Sequence, residues 1–529
     1  MTTVASKLLL LGAVGLTACS SSDKSVFASD DSAPDKFTVG GVVSGLTSAG
    51  LVLQNNGTDD LPVPIPGEFT FPTPLASGST YSVTVKSQPG IGPAQSCSVT
   101  HGSGTVGNAD VTSVEISCTT QVGRFLYVAN LDSNDVSGYT IDARNGQLTA
   151  IAGSPFPADR SPVFVSADRN GRTLYVANKG SPTTTPRLST YSIDPPTGAL
   201  AQAPHSPFDI TNTTPASGAL DLGKPLVHRT GTFVYIGATA GQLDGGTIDD
   251  LGDLTQIPGM PVTAGVGLAF GTLNAAGTVL YVPHDAFSGM AAGGISAYSI
   301  HTPSGVLTFL GAYSTGGRVP TMAVLQRSGG FLLAPNSNFG NARGSVAVFA
   351  VDAVNGTLTA VAGSPFATGV GTIPVSVAVH PFKSFVYTTN SNGSDASDIT
   401  AFAMDAGTGF LAPVLGSPFA SNGGAATPGS IDPSGRFFFV ANQRSNSIQG
   451  FSIDQDTGAL TKVPGSPFPA GLAPTAVSID VSGRFLYCSN SASDTVSAYA
   501  IDSTTGALTR INTVATGRSP GVVEQVGLQ

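Results

Sequence analysis

An all-β chain, a β-propeller of eight blades preceded by a small β-sandwich, is the fold class that the sequence predicts, and three observations predict it. A four-part phrase recurs between Gly123 and Gln529, clearest at Gly435 to Asp480, where GRFFFVAN, SIQGFSID, GALTKVPGSPF and APTAVSID follow one another. The phrase returns every 46 to 60 residues, counted between aligned second strands at Tyr127, Tyr175, Tyr235, Tyr281, Leu333, Tyr387, Phe439 and Tyr487. Each copy holds four short β-rich runs, and one such sheet cannot bury both its faces alone, so copies must stack in a ring. Finally, 66 glycines and 37 prolines among 529 residues, with 41% hydrophobic content, supply the turns and apolar mass of many strands around a large core.

The N-terminal segment, residues 1–19, reads as an export signal: Lys7, an apolar run from Leu8 to Leu16, then Leu16-Thr17-Ala18-Cys19. The last four residues resemble the lipobox of bacterial lipoproteins, which implies that Cys19 becomes the lipidated first residue and anchors the chain in a membrane. An ordinary secretory peptide cut near Ala18 is the alternative. Ser20 after the cysteine, rather than Asp, favours the outer membrane, on its periplasmic or surface side. Acyl chains anchor durably without a spanning helix. The apolar run is too short to span a bilayer, and no other stretch approaches ~20 apolar residues.

Residues 20–35 (SSSDKSVFASDDSAPD) lack apolar periodicity and read as a flexible tether. Residues 36–120 alternate in short runs (FTVGGVV, GLVLQNN, GEFTFPTPL, TYSVTVKSQ, SCSVTH, SVEISC) between Gly, Pro and Asn turns, a sandwich of about seven strands. It looks like the Ig-like or carboxypeptidase-regulatory-like modules that precede larger domains in bacterial surface proteins. Cys97 and Cys118 lie on neighbouring strand-like runs of this exported region, which predicts a disulfide. Cys488 fills the valine slot of the repeat (YCSN for YVAN) and reads as a small buried apolar residue.

Residues 121–529 form the propeller. The PxxVxxD run is taken as the innermost strand and the YVAN run as the second, because Ser519 to Val526 (SPGVVEQV) then supplies the missing inner strand of the first blade and closes the ring. The third copy (FVYIGATAGQLDGGTID) is degenerate but keeps its four runs. The LYVAN, VSxYxID, TGxLTxxxGSPF and PxxVxxDxxGR cycle is similar to the lactonase-type β-propeller family, across roughly residues 121 to 529. That resemblance implies a lactone-opening hydrolase and makes seven blades the alternative count. Members include cytoplasmic 6-phosphogluconolactonases and muconate-cycloisomerising propellers; an exported location separates this chain from phosphorylated pentose intermediates.

Short, uniform turns (DRNGR, DPSGR, DVSGR; DARNGQL, DQDTGAL) occupy one face of the ring, whereas connections such as Lys179 to Arg187, Asp285 to Gly294 and Ala203 to Gly223 vary and lie on the other. Variable loops on a rigid scaffold are where specificity resides. Four cations precede inner strands on that face, Arg160, Lys224, Arg318 and Arg518, and are candidates for substrate binding at the channel mouth, with solvated loop charges as the plainer reading. The Asn that ends the second strand (Asn130, Asn178, Asn336, Asn390, Asn442, Asn490) reads as a repeated backbone cap. It gives way to His284, followed by Asp285 and a glycine-rich loop, so His284 as base and Asp285 as its orienting carboxylate are the candidate catalytic pair. Capping is the plainer reading of His284. His380 and His228 replace the repeat's Asp in a turn and read as structural.

Charged residues make up only 11% and the net charge is −10, so nothing resembles the basic stripe that a nucleic acid requires. No G-x-S-x-G, H-E-x-x-H, P-loop or paired CxxC motif is present; no cofactor and no metal are assigned. The expected chain is a monomer whose partners are the membrane through Cys19 and either a small lactone or, for a non-enzymatic binding or scaffold module, a surface glycan, peptide or protein.

Overall fold

The computed structural model describes residues 35–47, 49–89, 95–120, 124–181, 184–210, 222–238, 241–267, 270–285, 292–337, 343–370, 372–391 and 397–527. Every regular element among them is a β-strand. Cys19 and most of the expected tether lie outside the described residues.

Between Lys36 and Thr120 the strands form two four-stranded sheets and a short two-stranded pair. One sheet has the order Gly67–Thr70, Val39–Ser44, Val111–Thr120, Gln95–Thr100, and the other Asp59–Val63, Leu51–Asn55, Thr80–Ser87, Ser103–Thr105. Alternating residues such as Val39, Leu53, Val83, Val114 and Ile116 are buried in one shared cluster. That alternation is what period-two side chains of half-buried strands produce. Cys97 pairs directly with Cys118 across two antiparallel strands and the two are disulfide-bonded, with Cα atoms 4.0 Å apart. Closing a 21-residue separation stabilises by about 3 kcal/mol in the chain-entropy model. Replacing both cysteines with serine is expected to lower the unfolding free energy of this region by that amount, read by calorimetry under non-reducing conditions.

The remaining strands make eight sheets, each in sequential order from innermost to outermost. In blade 2, for example, Pro162–Ala167, Thr173–Asn178, Arg187–Ile193 and Leu200–Gln202 are consecutive neighbours. Blade 1 departs in the way the sequence requires: its inner strand is Pro520–Val526, antiparallel to Phe125–Asn130. Both faces of each sheet are apolar because each is a neighbour's core. One buried cluster joins blades 1 and 2 through Tyr127 and Leu174, and a second joins blades 8 and 1 through Tyr487 and Leu126, closing the ring.

The tyrosine of the second strand also acts as a polar bolt. Its hydroxyl donates to the carbonyl of the Thr-Gly turn in the next blade, in Tyr127 to Gly198 (2.6 Å), Tyr235 to Gly305 (2.7 Å), Tyr281 to Gly356 (2.8 Å) and Tyr387 to Gly458 (3.0 Å). Tyr487 makes the same contact across the seam of the ring, onto Gly146 of blade 1 at 3.2 Å. These glycines cannot be exchanged for larger residues: Gly146 has φ +74°, and a Cβ there would lie 2.3 Å from the Phe485 ring. The GSPF segment interrupts the outermost strand, so that Leu148–Ala150 and Phe156–Pro157 both pair with Asp135–Ile141. The kink is held by Ser154, whose Oγ accepts the Gly138 amide at 2.8 Å.

Two sequence expectations about side chains are met inside this ring. Cys488 is fully buried, and burial pushes its thiol up to about 12, so it is an inert apolar filler. His380 is buried in its turn; Nδ1 accepts the Phe382 and Lys383 amides and Nε2–H donates to Gly435 of the next blade at 2.7 Å. Burial holds its imidazole below the ordinary value, against a smaller upward pull from the Gly435 hydrogen bond. Its folded value being the lower one, the neutral side chain favours the fold above the unfolded pKa of about 6.5. That contribution fades as pH falls below that value and through the folded one. The difference in urea midpoint between the parent and His380→Asn, which keeps a donor and an acceptor, is expected to shrink from pH 7.5 to pH 5.

Candidate functional site

Inner strands begin on the face of the variable loops, so a residue just before an inner strand stands on that face at the inner edge of its blade. Lys224, before Leu226–Val227 of blade 3, does so. Its position is fixed from blade 2, where the Ser166 hydroxyl donates to the carbonyl of Pro225 at 2.9 Å. From there Lys224 reaches past blade 2 to Glu524 of blade 1, with Nζ to Oε2 at 2.8 Å. The second carboxylate oxygen of Glu524 accepts the Ala167 amide at 3.3 Å. Lys224 and Glu524 keep 33% and 21% of their side-chain surface exposed, so the pair is held yet reachable by water and ligand. Phe164 of blade 2 and Phe270 at the approach to blade 4 meet edge to face at 5.1 Å.

Glu524 is the residue that sequence reasoning missed. Its signal was present: in the aligned slot, four residues after the strand-opening proline, other blades carry Ser166, Ala378 and Ser478, and Glu524 places the slot's carboxylate against that background.

Arg318 and Asp285 come together at the neighbouring part of the rim, 3.7 Å apart, and Asp285 Oδ1 also accepts the Val319 amide at 2.9 Å. His284 ends the strand Val279–His284 opposite Gly294 and is fully buried, with no solvent-facing surface. The asparagines of the same slot tie the second strand to the third: Asn130 Nδ2 donates to Asp135 Oδ1 at 2.6 Å and to Ser137 Oγ at 2.9 Å, and Asn390 Nδ2 to Asp398 Oδ1 at 2.6 Å. The contacts of the Asp285 carboxylate given above run to blade 5, where it fixes the loop that carries Arg318.

Arg518 reaches the backbone of Asp132, and Arg160 shares a cleft with the same residue. Arg518 Nη2 donates to the Asp132 carbonyl at 3.2 Å, and the Ser519 hydroxyl donates to its carboxylate. Arg160, Asp132, Asn134 and Lys179 line a cleft of about 450 Å³ between blades 1 and 2. Two of the four candidate cations thus meet carboxylates, Lys224 at Glu524 and Arg318 at Asp285, and Glu524 is the one set on an inner strand.

A family described as lactonase, seven-bladed β-propeller, matches residues 93–213, 235–362 and 421–525, well over half of the chain. The chain belongs to that lactonase family. Among the described residues after Arg124 this member has eight sheets, where the family description has seven blades. Among solved structures, the periplasmic gluconolactonase of Pseudomonas aeruginosa is similar at 19% identity and a TM-score of 0.50, covering 77% of this chain and 99% of that one. Citrobacter koseri AztD is similar at 12% identity and a TM-score of 0.49, covering 77% and 98%. No curated protein matches in sequence. At such identities these likenesses speak to fold alone, and one fold hosts many chemistries.

Proposed function

We propose that this lactonase-family propeller is an exported, lipid-anchored protein of the cell envelope that hydrolyses a lactone at the variable-loop mouth of its channel. The observation that carries the reading is the Lys224–Glu524 pair, a partly exposed carboxylate and ammonium 2.8 Å apart. Ester hydrolysis needs a base for water and a cation for the oxyanion, and this pair supplies both. Glu524 takes a proton from water as the oxygen attacks the lactone carbonyl carbon, and the Lys224 ammonium stabilises the resulting oxyanion. Collapse breaks the ring C–O bond, and the departing alkoxide recovers the proton from Glu524, releasing the hydroxy acid. Arg318, Arg160 and Arg518 stand at the rim where a substrate carboxylate would be met.

Anchoring rests on Cys19 and the resemblance of its preceding residues to a lipobox; no helix among the described residues is long and apolar enough to cross a membrane. Cys19→Ala is expected to move the protein from the membrane to the soluble fraction. The activity is tested with soluble protein starting at Ser20 on a panel of sugar and aliphatic lactones. Turnover that disappears in Lys224→Met and Glu524→Gln supports the reading. No turnover on any lactone overturns it in favour of a glycan- or protein-binding module.

A further inference from the structure

On the face of the short turns, blades 1, 7 and 8 are strapped to their neighbours by an arginine. The first-to-second-strand turn is held by its Asp, as where Asp480 Oδ1 accepts the Arg484 and Phe485 amides at 2.9 and 2.8 Å. The arginine that ends the turn then lies over the following phenylalanine, in Arg124 on Phe125 (5.2 Å), Arg436 on Phe437 (5.2 Å) and Arg484 on Phe485 (4.9 Å). Its guanidinium donates to carbonyls of the next blade's turn: Arg124 to Pro196, Arg436 to Ser503, Arg484 to Arg144.

Blades 3 to 6 lack this arrangement, blades 3 and 4 with His228 and Asn274 for the Asp and Thr232 and Thr278 for the arginine, and blades 5 and 6 likewise at four aligned positions. Gln326 and His380 replace the Asp, and Gly330 and Ser384 replace the strap arginine. Cations reappear elsewhere in the same two turns, at Arg327 and Lys383. Both are exposed, and neither forms an ion pair among the described residues. Between the two turns opens a cleft of about 430 Å³ lined by Arg327, Lys383, Gln326, Ser328 and Phe382, whose ring is 42% exposed. His380 forms the floor, its ring nitrogens taken up by backbone, so it braces the turn.

We propose that this cleft is a second ligand site, independent of the channel mouth, that binds a sugar carrying a carboxylate or a phosphate. Two cations without counter-ions, one a planar fork and one a point charge, suit an oxyanion. The exposed face of Phe382 beside them suits the apolar face of a pyranose ring, and the volume lies in the range of small-ligand sites.

Isothermal titration of the Ser20-to-Gln529 protein with glucuronate, glucose 6-phosphate and neutral glucose tests this directly. At least one anionic sugar is expected to bind with tenfold or greater preference over glucose, and which one binds separates a carboxylate from a phosphate source. Arg327→Ala with Lys383→Ala is expected to reduce that binding at least tenfold and Phe382→Ala several-fold, each with an unchanged melting temperature because the side chains are exposed. Glu524→Gln is expected to bind as the parent does, which keeps this site distinct from the channel. Failure of both anionic sugars to bind, or binding that survives the double substitution, overturns the proposal. Inorganic phosphate binding as tightly as the sugars, with Phe382→Ala silent, also overturns it, because no sugar is then being recognised.

Discussion

Glu524→Gln is expected to lower kcat/KM for lactone hydrolysis by about 10²- to 10⁴-fold, the usual contribution of a positioned general base. The substitution keeps side-chain volume and the ability to accept the Ala167 amide, so the melting temperature should move little. Lys224→Met should act on the same step from the other side, removing an oxyanion partner worth about 10²- to 10³-fold in kcat. Because the two residues touch, their losses should not add: the double variant is expected to fall little below the worse single one. Asp285→Asn with Arg318→Ala provides the contrasting arm. Their contact lies at the rim, so their loss should weaken binding of an anionic lactone and appear in KM. Turnover lost in that pair and retained in Glu524→Gln would place the chemistry at blades 4 and 5 instead.

How much of this was legible follows the distance over which information travels along the chain. The blade count, the order of strands and the two turn faces are local, repeated eight times, and were readable from FVAN, SID and GSPF phrases alone. The disulfide was readable because its cysteines sit on strands that pair directly. The channel pair was not, because Lys224 and Glu524 are 300 residues apart and meet only when the ring closes. Sequence shows each cation beside its strand-opening proline but not the carboxylates that Lys224 and Arg318 face. Likewise the slot shared by Asn130 and His284 revealed a cap, while the complete burial of His284 depends on packing between blades. The GSPF motif was visible as a phrase, but its work, interrupting the outer strand while Ser154 caps Gly138, needed coordinates.

A chain ending at Gly517 is expected not to fold as a propeller at all. Pro520–Val526 is the inner strand of the first blade, and its removal strips Phe125–Asn130 of its partner along Val128 to Phe125. Val523 and Val526 are 3% and 2% exposed and belong to the two clusters that flank blade 1. Losing them costs about 2 kcal/mol each in burial. The backbone groups left unpaired inside the ring cost about 1 to 3 kcal/mol apiece. Together these losses rival the ~5–15 kcal/mol that holds a typical native protein together. The Lys224 tether to Glu524 and the Ser519 tether to Asp132 go with the same segment, so the carboxylate proposed as the base is lost together with the closure of the ring. Limited proteolysis should therefore cut the truncated chain throughout residues 124–517 while sparing the disulfide-bonded N-terminal sheets. Adding a peptide of residues 518–529 in trans should restore protection if strand insertion alone closes the ring. A truncated chain that melts cooperatively near the parent temperature would show instead that seven complete sheets and an opened eighth suffice.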